Sequence, residues 1–407
     1  MAERKIFQWH PAAQLFAGAR CIARPPVAAH GGFRALSATS TVAALEDLAN
    51  VLGTGAGFCL HHLAWDAAVG ADRGKFLTLT GGSSGQPKII RRSQASWVRG
   101  FDINARLFEL TLQDSVAVFG NLSHSLALYG VLEALHLGLD AYALDLCSAS
   151  QQRACITSND IRILYATPVQ LRLLAGQHAT DPMPSVRLIL CGGGQLDAVS
   201  RGAIQRVFPR ADLRVFYGAA ETSFISLADA DTPPGSVGKP YPGVDLDLRP
   251  VSDGPPGKDR EVWVRSPYLF DAYANRTDSE ARWDGGFLTV GELGHLDSDG
   301  NLWLTGRRSR LVKIADQNVS PEQVEALISS RPDVAECAVL PRPDPLRGHH
   351  LVAIVQGPGD DRMAQEIRDM CRRALGPLQT PRQVVFLERL PLLRSGKVDL
   401  RALEAGL

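Results

Sequence analysis

Nowhere in this 407-residue chain do about 18 apolar residues follow one another, so no segment reads as a membrane-spanning helix. The charged start Met1-Ala2-Glu3-Arg4-Lys5 is not followed by the apolar core of an export signal. Cysteine is sparse and scattered. Cys21, Cys59, Cys147, Cys155, Cys191, Cys337 and Cys371 show no C-x-x-C spacing, which argues against a disulfide framework or a zinc site and for a reducing cytoplasm. Net charge is lacking too: 43 Lys and Arg balance 43 Asp and Glu, and no long basic run offers a footprint for nucleic acid. Internal repeats and low-complexity tracts are also missing. What remains is a globular chain whose length corresponds to two or three domains.

Glycine and proline are plentiful, at 38 and 25, as in a loop-rich α/β protein. Short apolar runs alternate with segments of helical period. Phe76 to Leu79 precedes a helix over Ser93 to Leu110, and Ser115 to Phe119 precedes one over Leu126 to Leu137. The same order recurs at Ile161 to Ala166 with Val169 to Gly176, and at Val186 to Leu190 with Leu196 to Val207. Such units predict a mainly parallel sheet covered by helices. After Leu213 to Tyr217, the run Pro233, Gly235, Gly238, Pro240 and Gly243 introduces a β-rich part with strands at Val244 to Leu248 and Glu261 to Val264. Asp299-Gly300 marks a hairpin between 294–296 and 302–304. Ser320-Pro321-Glu322 carries an N-cap, a proline at the first helical position and an acid in the first turn. A small α+β unit is expected over about 311 to 407.

The strongest chemical signal is Thr80-Gly81-Gly82-Ser83-Ser84-Gly85-Gln86-Pro87-Lys88. Small residues let the backbone approach an anion, hydroxyls and N–H groups can bond phosphate oxygens, and Lys88 supplies charge. A flexible surface loop is the bland alternative. A Walker loop is disfavoured, because Pro87 precedes the lysine and no Ser or Thr follows it. Cys191-Gly192-Gly193-Gly194-Gln195-Leu196 is no dinucleotide fingerprint either, since Asp197 stands where a third glycine belongs.

The loop resembles the Ser/Thr/Gly-rich phosphate loop of the acyl-adenylate-forming superfamily, which contains acyl-CoA synthetases, peptide-synthetase adenylation domains and firefly luciferase. Further motifs of that family follow in its order. They are Phe216-Tyr217-Gly218-Ala219-Ala220-Glu221-Thr222, Gly235-Ser236-Val237-Gly238-Lys239-Pro240, Glu261-Val262-Trp263-Val264, Val290-Gly291-Glu292-Leu293-Gly294, Gly306-Arg307 and Ser395-Gly396-Lys397. Several ordered motifs are far rarer by chance than one, and together they cover roughly Lys75 to Leu403.

The resemblance implies a nucleotide site of Thr80, Gly81, Gly82, Ser83, Ser84, Gly85, Lys88, Tyr217, Gly218, Thr222, Glu292 and Arg307. In it Tyr217 would stack on adenine, Glu292 would take the ribose hydroxyls, and Arg307 would contact ribose and phosphate. Glu221 would hold the Mg2+ that bridges the ATP phosphates. Lys397 would reach the acid carboxylate and the α-phosphate in the first half-reaction. His124 would border the acyl pocket, although a satisfied structural histidine is the competing reading, and Gly192, Gly193, Gly194 and Phe216 would line that pocket. The implied architecture is an N-terminal AMP- and acyl-binding domain over 1–306, a hinge at 307–310 and a mobile C-terminal lid over 311–407.

The implied activity is formation of an acyl-AMP from ATP and a small carboxylic acid, followed by transfer to the thiol of CoA. The alternatives are loading of a carrier-protein phosphopantetheine and a catalytically silent binding role. Four positions depart from the pattern: Ala220 replaces a threonine, Glu292 an aspartate, Asp316 a glycine of the pantetheine tunnel, and Arg310 the usual Asp or Lys hinge. Only 79 residues precede Thr80, short for the family, which leaves a partner chain, a homodimer or a compact fold to cover that face.

Overall fold

The computed structural model describes residues 6–26, 32–62, 66, 69–80, 88–176, 181–194, 196–251, 260–275, 281–315, 317–331, 333–392 and 398–406. The described residues form two compact units, one from residues up to 80, 88–245 and 265–275, the other from 246–264 and 281–406. None of their helices is long and apolar enough to cross a membrane.

The first unit is built on a nine-stranded sheet. Its centre runs Asp212–Ala219, Leu188–Cys191, Ile163–Ala166, Ser115–Val118, Asp140–Ala143, Leu15–Ala17, all parallel. Ser223–Ala228 and Arg20–Ile22 add antiparallel neighbours towards the two edges. Leu188–Cys191, Ile163–Ala166 and Ser115–Val118 are buried at every position, as helices on both faces of a parallel sheet require. The continuous apolar runs in the sequence have this cause. Helix Ser125–Leu137 is buried nearly all round and stops at Gly138, whose φ of +96° places it in the left-handed region of a C-terminal cap.

A second, five-stranded sheet in this unit pairs Lys75–Thr80 with Lys88–Ser93 in antiparallel register, Thr80 opposite Lys88. Ser93 then caps helix Gln94–Leu107 by accepting from Ser96 N. Strands Arg34–Ser37, Phe58–His61, Lys88–Ser93 and Asp140–Ala143 and helices Thr41–Val51 and Ala149–Ser158 are not among the elements expected from the sequence. Arg34–Ser37 has a single buried residue, so no period announces it.

In the second unit, Glu292–Leu296 and Leu302–Arg307 form the expected hairpin, with Gly300 at φ +81°. A turn Arg308–Arg310 leads to the small hairpin Val312–Ile314 and Gln317–Val319. Beyond it lies the sheet of Cys337–Asp344, Gly348–Gln356 and Gln383–Leu387, with helices Pro321–Ser329 and Asp361–Leu375 packed on its apolar side. Helix Pro321–Ser329 starts where expected, but the Ser320 hydroxyl makes no cap bond to that helix. It donates to Thr305 O at 2.7 Å instead.

Candidate active site

In an open parallel sheet, ligands bind beyond the carboxyl ends of the strands, where the loops converge. Gly192 to Gly194 follow Leu188–Cys191, Thr167 follows Ile163–Ala166, and Ala220 to Thr222 follow Asp212–Ala219. His124 belongs to the loop after Ser115–Val118, and its backbone bridges Leu79 of the strand leading to Thr80. The topology thus gathers four of the sequence's motifs at one end of the first unit.

The loop carrying Glu221 is tight. A Cβ at Gly218 would stand 1.9 Å from Ser223 O, so only glycine fits, and Ser223 itself has φ +59°. Thr222 is wholly buried, and its hydroxyl accepts from Ala219 N at 3.0 Å, a bond that closes the turn. The Glu221 carboxylate, 9% exposed, accepts from Tyr273 Oη at 2.7 Å. Lys88 Nζ lies 5.4 Å over the Tyr273 ring. Lys88 and Glu221, expected to serve the same phosphates, therefore meet on one phenol.

Tyr273 was not anticipated. It sits on the two-residue strand Ala272–Tyr273 that extends the Lys88–Ser93 sheet, and no motif points to it. Arg92 was missed as well. In the Arg91-Arg92 pair, strand alternation turns Arg92 inward, where its guanidinium donates to Ala220 O and to Ser223 Oγ.

Tyr217 is half-buried opposite Ser226. The Phe216 ring lies on Gly192, where a Cβ would be 2.1 Å from the ring, and it stands edge-on to Phe224 at 4.7 Å. Gly193 and Gly194 are exposed. His124 lies 5.8 Å from His62, whose Nδ1 is 2.8 Å from Ser123 Oγ. Burial, and then the His62 charge, hold His124 below the usual histidine range, so the ring is neutral at neutral pH.

The fold also brings a buried acid to Tyr165, at the end of strand Ile163–Ala166. Glu133, fully buried on helix Ser125–Leu137, accepts from Tyr165 Oη at 2.5 Å and from Asn104 Nδ2 at 2.8 Å, and Tyr241 Oη donates to Asn104 Oδ1 at 2.6 Å. Burial pushes the Glu133 carboxyl up to about 7, against the pull of these donors. Its place in the apolar run Val131-Leu132-Glu133-Ala134 hid it.

In the second unit Glu292 and Arg307 face each other across the hairpin and form an ion pair of 2.7 Å. Gly306 touches Ser320 so closely that a Cβ would be 2.2 Å from its hydroxyl. Arg310 grips Glu325 with two bonds of 2.9 and 2.8 Å and donates to Val339 O. Gly81, Gly82, Ser83, Ser84, Gly85, Asp316 and Lys397 lie outside the described residues. Leu392 and Val398, on either side of the Lys397 segment, are bridged to each other.

Among the described residues no three His, Cys, Asp or Glu side chains could hold a metal by themselves. A Mg2+ that takes its other ligands from phosphates and water needs only one or two carboxylates, and the buried Glu221 meets that requirement.

The chain belongs to the AMP-binding enzyme family: residues 33–274 match that family, and residues 323–397 match the AMP-binding enzyme C-terminal domain. The ordered motifs are therefore those of the acyl-adenylate-forming superfamily. An uncharacterized acyl-CoA ligase of Bacillus subtilis is 28% identical over 79% of this chain and 66% of its own length. Indoleacetate-CoA ligase of Aromatoleum aromaticum is 30% identical over 84% of this chain and 69% of its own. The chain thus spans about two thirds of the length of these relatives. The structure of o-succinylbenzoate CoA synthetase from Bacillus subtilis, bound to its acyl-adenylate, superposes with a TM-score of 0.77 at 22% identity, over 92% of this chain and 88% of that one. The shared fold is mixed α/β, with a large sheet-rich N-terminal domain and a small C-terminal domain.

Proposed function

We propose that the protein is an AMP-forming acid-thiol ligase. A carboxylate oxygen attacks the α-phosphorus of ATP and pyrophosphate leaves. A thiolate then attacks the acyl carbon and AMP leaves. Neither step needs a side-chain nucleophile, so the protein's work is positioning and charge stabilisation. The observation that carries this reading is the cluster of Lys88, Tyr273 and Glu221, in which the loop after Asp212–Ala219 meets the start of strand Lys88–Ser93. Lys88 would neutralise phosphate charge, and Tyr273 would hold the Glu221 carboxylate in one orientation. Mg2+, bound through Glu221, would supply charge neutralisation on the phosphates. Thr80, Tyr217, Glu292 and Arg307 would complete the nucleotide contacts, and Lys397 would stabilise charge as the adenylate forms. The two ligases among the relatives support CoA as acceptor; a carrier-protein phosphopantetheine remains the alternative.

The acid we propose is apolar, aromatic or a short to medium fatty chain. Phe216 over Gly192, backed by Phe224 and Tyr129, supports this. Glu133 does not alter it, because Tyr165 and Asn104 already occupy both carboxyl oxygens. We also propose that residues 311–407 act as a lid turning about 307–310, which must release the Ser320 to Thr305 bond when it moves. Pyrophosphate release from a panel of acids, with and without CoA, tests the function. Release with apolar acids and thioester formation with CoA are expected. Preference for an α-amino acid overturns the substrate class, and no release with any acid leaves the silent binding role.

A further inference from the structure

Arg92 is 1% exposed, and burying a guanidinium is costly unless its donors are used. Its NH1 donates to Ser223 Oγ at 2.5 Å and to Tyr268 O at 3.4 Å, and its NH2 donates to Ala220 O. Two of these acceptors, on Ala220 and Ser223, flank Glu221, and the third belongs to Tyr268. Ser223 Oγ in turn lies 3.3 Å from Tyr268 O, and Phe270 N donates to Glu221 O at 2.8 Å. One cation thus fastens the Glu221 loop to the segment that continues to Tyr273. The guanidinium also lies 5.4 Å from the Trp97 ring, which walls it off below.

The placement along the chain carries the same meaning. Lys88 and Arg92 are four residues apart on strand Lys88–Ser93, and therefore on one face of it. The strand that presents Lys88 at its start is bolted by Arg92 to the loop that presents Glu221. The loop needs such a bolt, because Gly218 closes on Ser223 O and Ser223 is held at a positive φ. The charges of Glu221 and Asp271 oppose the burial penalty, which still lowers Arg92 to about 10. Arg92 remains a cation at neutral pH.

We infer that Arg92 is a positioning residue: it sets the distance and orientation of Glu221 relative to Lys88, and so the coupling between Mg2+ and ATP. This inference rests on the proposed nucleotide role of that cluster. Arg92 touches neither nucleotide nor acid. Its effect passes through the Ala220 to Ser223 loop.

The test is ATP binding to the full chain by calorimetry, with and without Mg2+, in the wild type and in Arg92→Met, Arg92→Lys and Ser223→Ala, alongside KM values from pyrophosphate release. Loss of a hydrogen-bonded buried charge is expected to weaken Mg2+-dependent ATP binding by about tenfold or more in Arg92→Met. The KM for the acid should stay within about twofold of wild type, because only one loop is misplaced. Arg92→Lys, which keeps the charge but not the fork, should recover part of the loss, and Ser223→Ala should show a smaller loss of the same kind. If Arg92→Met does not fold, these two milder variants decide. Unchanged Mg2+-dependent binding in the variants, or equal losses towards ATP and acid, overturns the inference. Wild-type binding of ATP with Mg2+ but no pyrophosphate release would instead sink the proposed reaction and leave the Arg92 comparison readable.

Discussion

Tyr273 donates its hydroxyl to the Glu221 carboxylate at 2.7 Å, across 52 residues of sequence, and so joins the edge of one sheet to the loop that leaves another. A neutral donor on a buried carboxylate fixes its orientation while leaving one oxygen for other partners. Tyr273→Phe should therefore raise the KM for ATP with Mg2+ by about tenfold, the scale of one hydrogen bond to a charged group, and leave the KM for the acid nearly unchanged. Steady-state pyrophosphate release with each substrate varied in turn measures this. Equal effects on both constants would remove Tyr273 from the nucleotide site.

Lys397→Ala separates the two proposed half-reactions. Leu392 and Val398, on either side of the lysine, are bridged to each other, and its charge is proposed to serve adenylate formation alone. Adenylation should fall about 100- to 1000-fold, as on loss of one charge-stabilising contact in other enzymes. Transfer from a supplied acyl-adenylate to CoA should stay near wild type. Rapid-quench measurement of each step decides, and equal loss in both would sink the assignment.

Gly192→Ala addresses the acyl side. A methyl there would meet the Phe216 ring at 2.1 Å, and the ring, already edge-on to Phe224 at 4.7 Å, must shift. The preferred chain length of the acid should shift, with the KM for the best wild-type acid rising about tenfold and that for ATP moving little, since an added methylene-sized group in a pocket discriminates by roughly 10- to 200-fold. The same panel of acids tests it, and an unchanged profile would place the acid elsewhere.

Glu133 makes stability depend on pH in a direction unusual for a carboxylate. Burial first, opposed by the bonds from Tyr165, Asn104 and Tyr129, raises its folded pKa to about 7 from an ordinary 4.5. The folded chain therefore holds a proton that the unfolded chain has lost between these values. The contribution is fully present below pH 4.5 and disappears as pH rises through 7. Glu133→Gln mimics the protonated state and does not titrate. From pH 5 to 8 the wild type should lose stability relative to this variant, by an amount on the order of 3 kcal/mol. Melting curves at intervals across that range measure the difference, and parallel pH profiles would show that the carboxyl is ionised throughout.

Much of the molecule is legible in the sequence. The strands at 115–118, 163–166 and 188–191 announce themselves as apolar runs because both faces of a parallel sheet are covered, and the helices that follow them show the helical period, whereas Lys88–Ser93, Asp140–Ala143 and helix Ala149–Ser158 do not. Asp299-Gly300 gave its hairpin and Pro321 its helix start, since each reports a local backbone requirement. The order of the motifs around Thr80, Tyr217, Glu221, Glu292 and Arg307 was enough to place the chain in its family.

Partners across the fold were not legible. Tyr273 was unmarked because its role depends on a two-residue strand docking beside Lys88–Ser93. Arg92 and Arg91 are alike in sequence, and only the register of the strand decides which guanidinium is buried under the Glu221 loop. Glu133 reads as an interruption in an apolar helix until Tyr165 and Asn104, from other elements, supply its hydrogen bonds. The Ser320 hydroxyl leaves the backbone of its own helix uncapped and lies against Thr305 O and the Glu322 carboxylate, because a neighbouring strand offers a carbonyl within reach. Sequence determined the elements and the inventory of chemical groups, since period, glycine and proline act over a few residues. Tertiary structure alone decided which charge is buried and what answers it, because desolvation and hydrogen bonding are set by neighbours that lie tens of residues away along the chain.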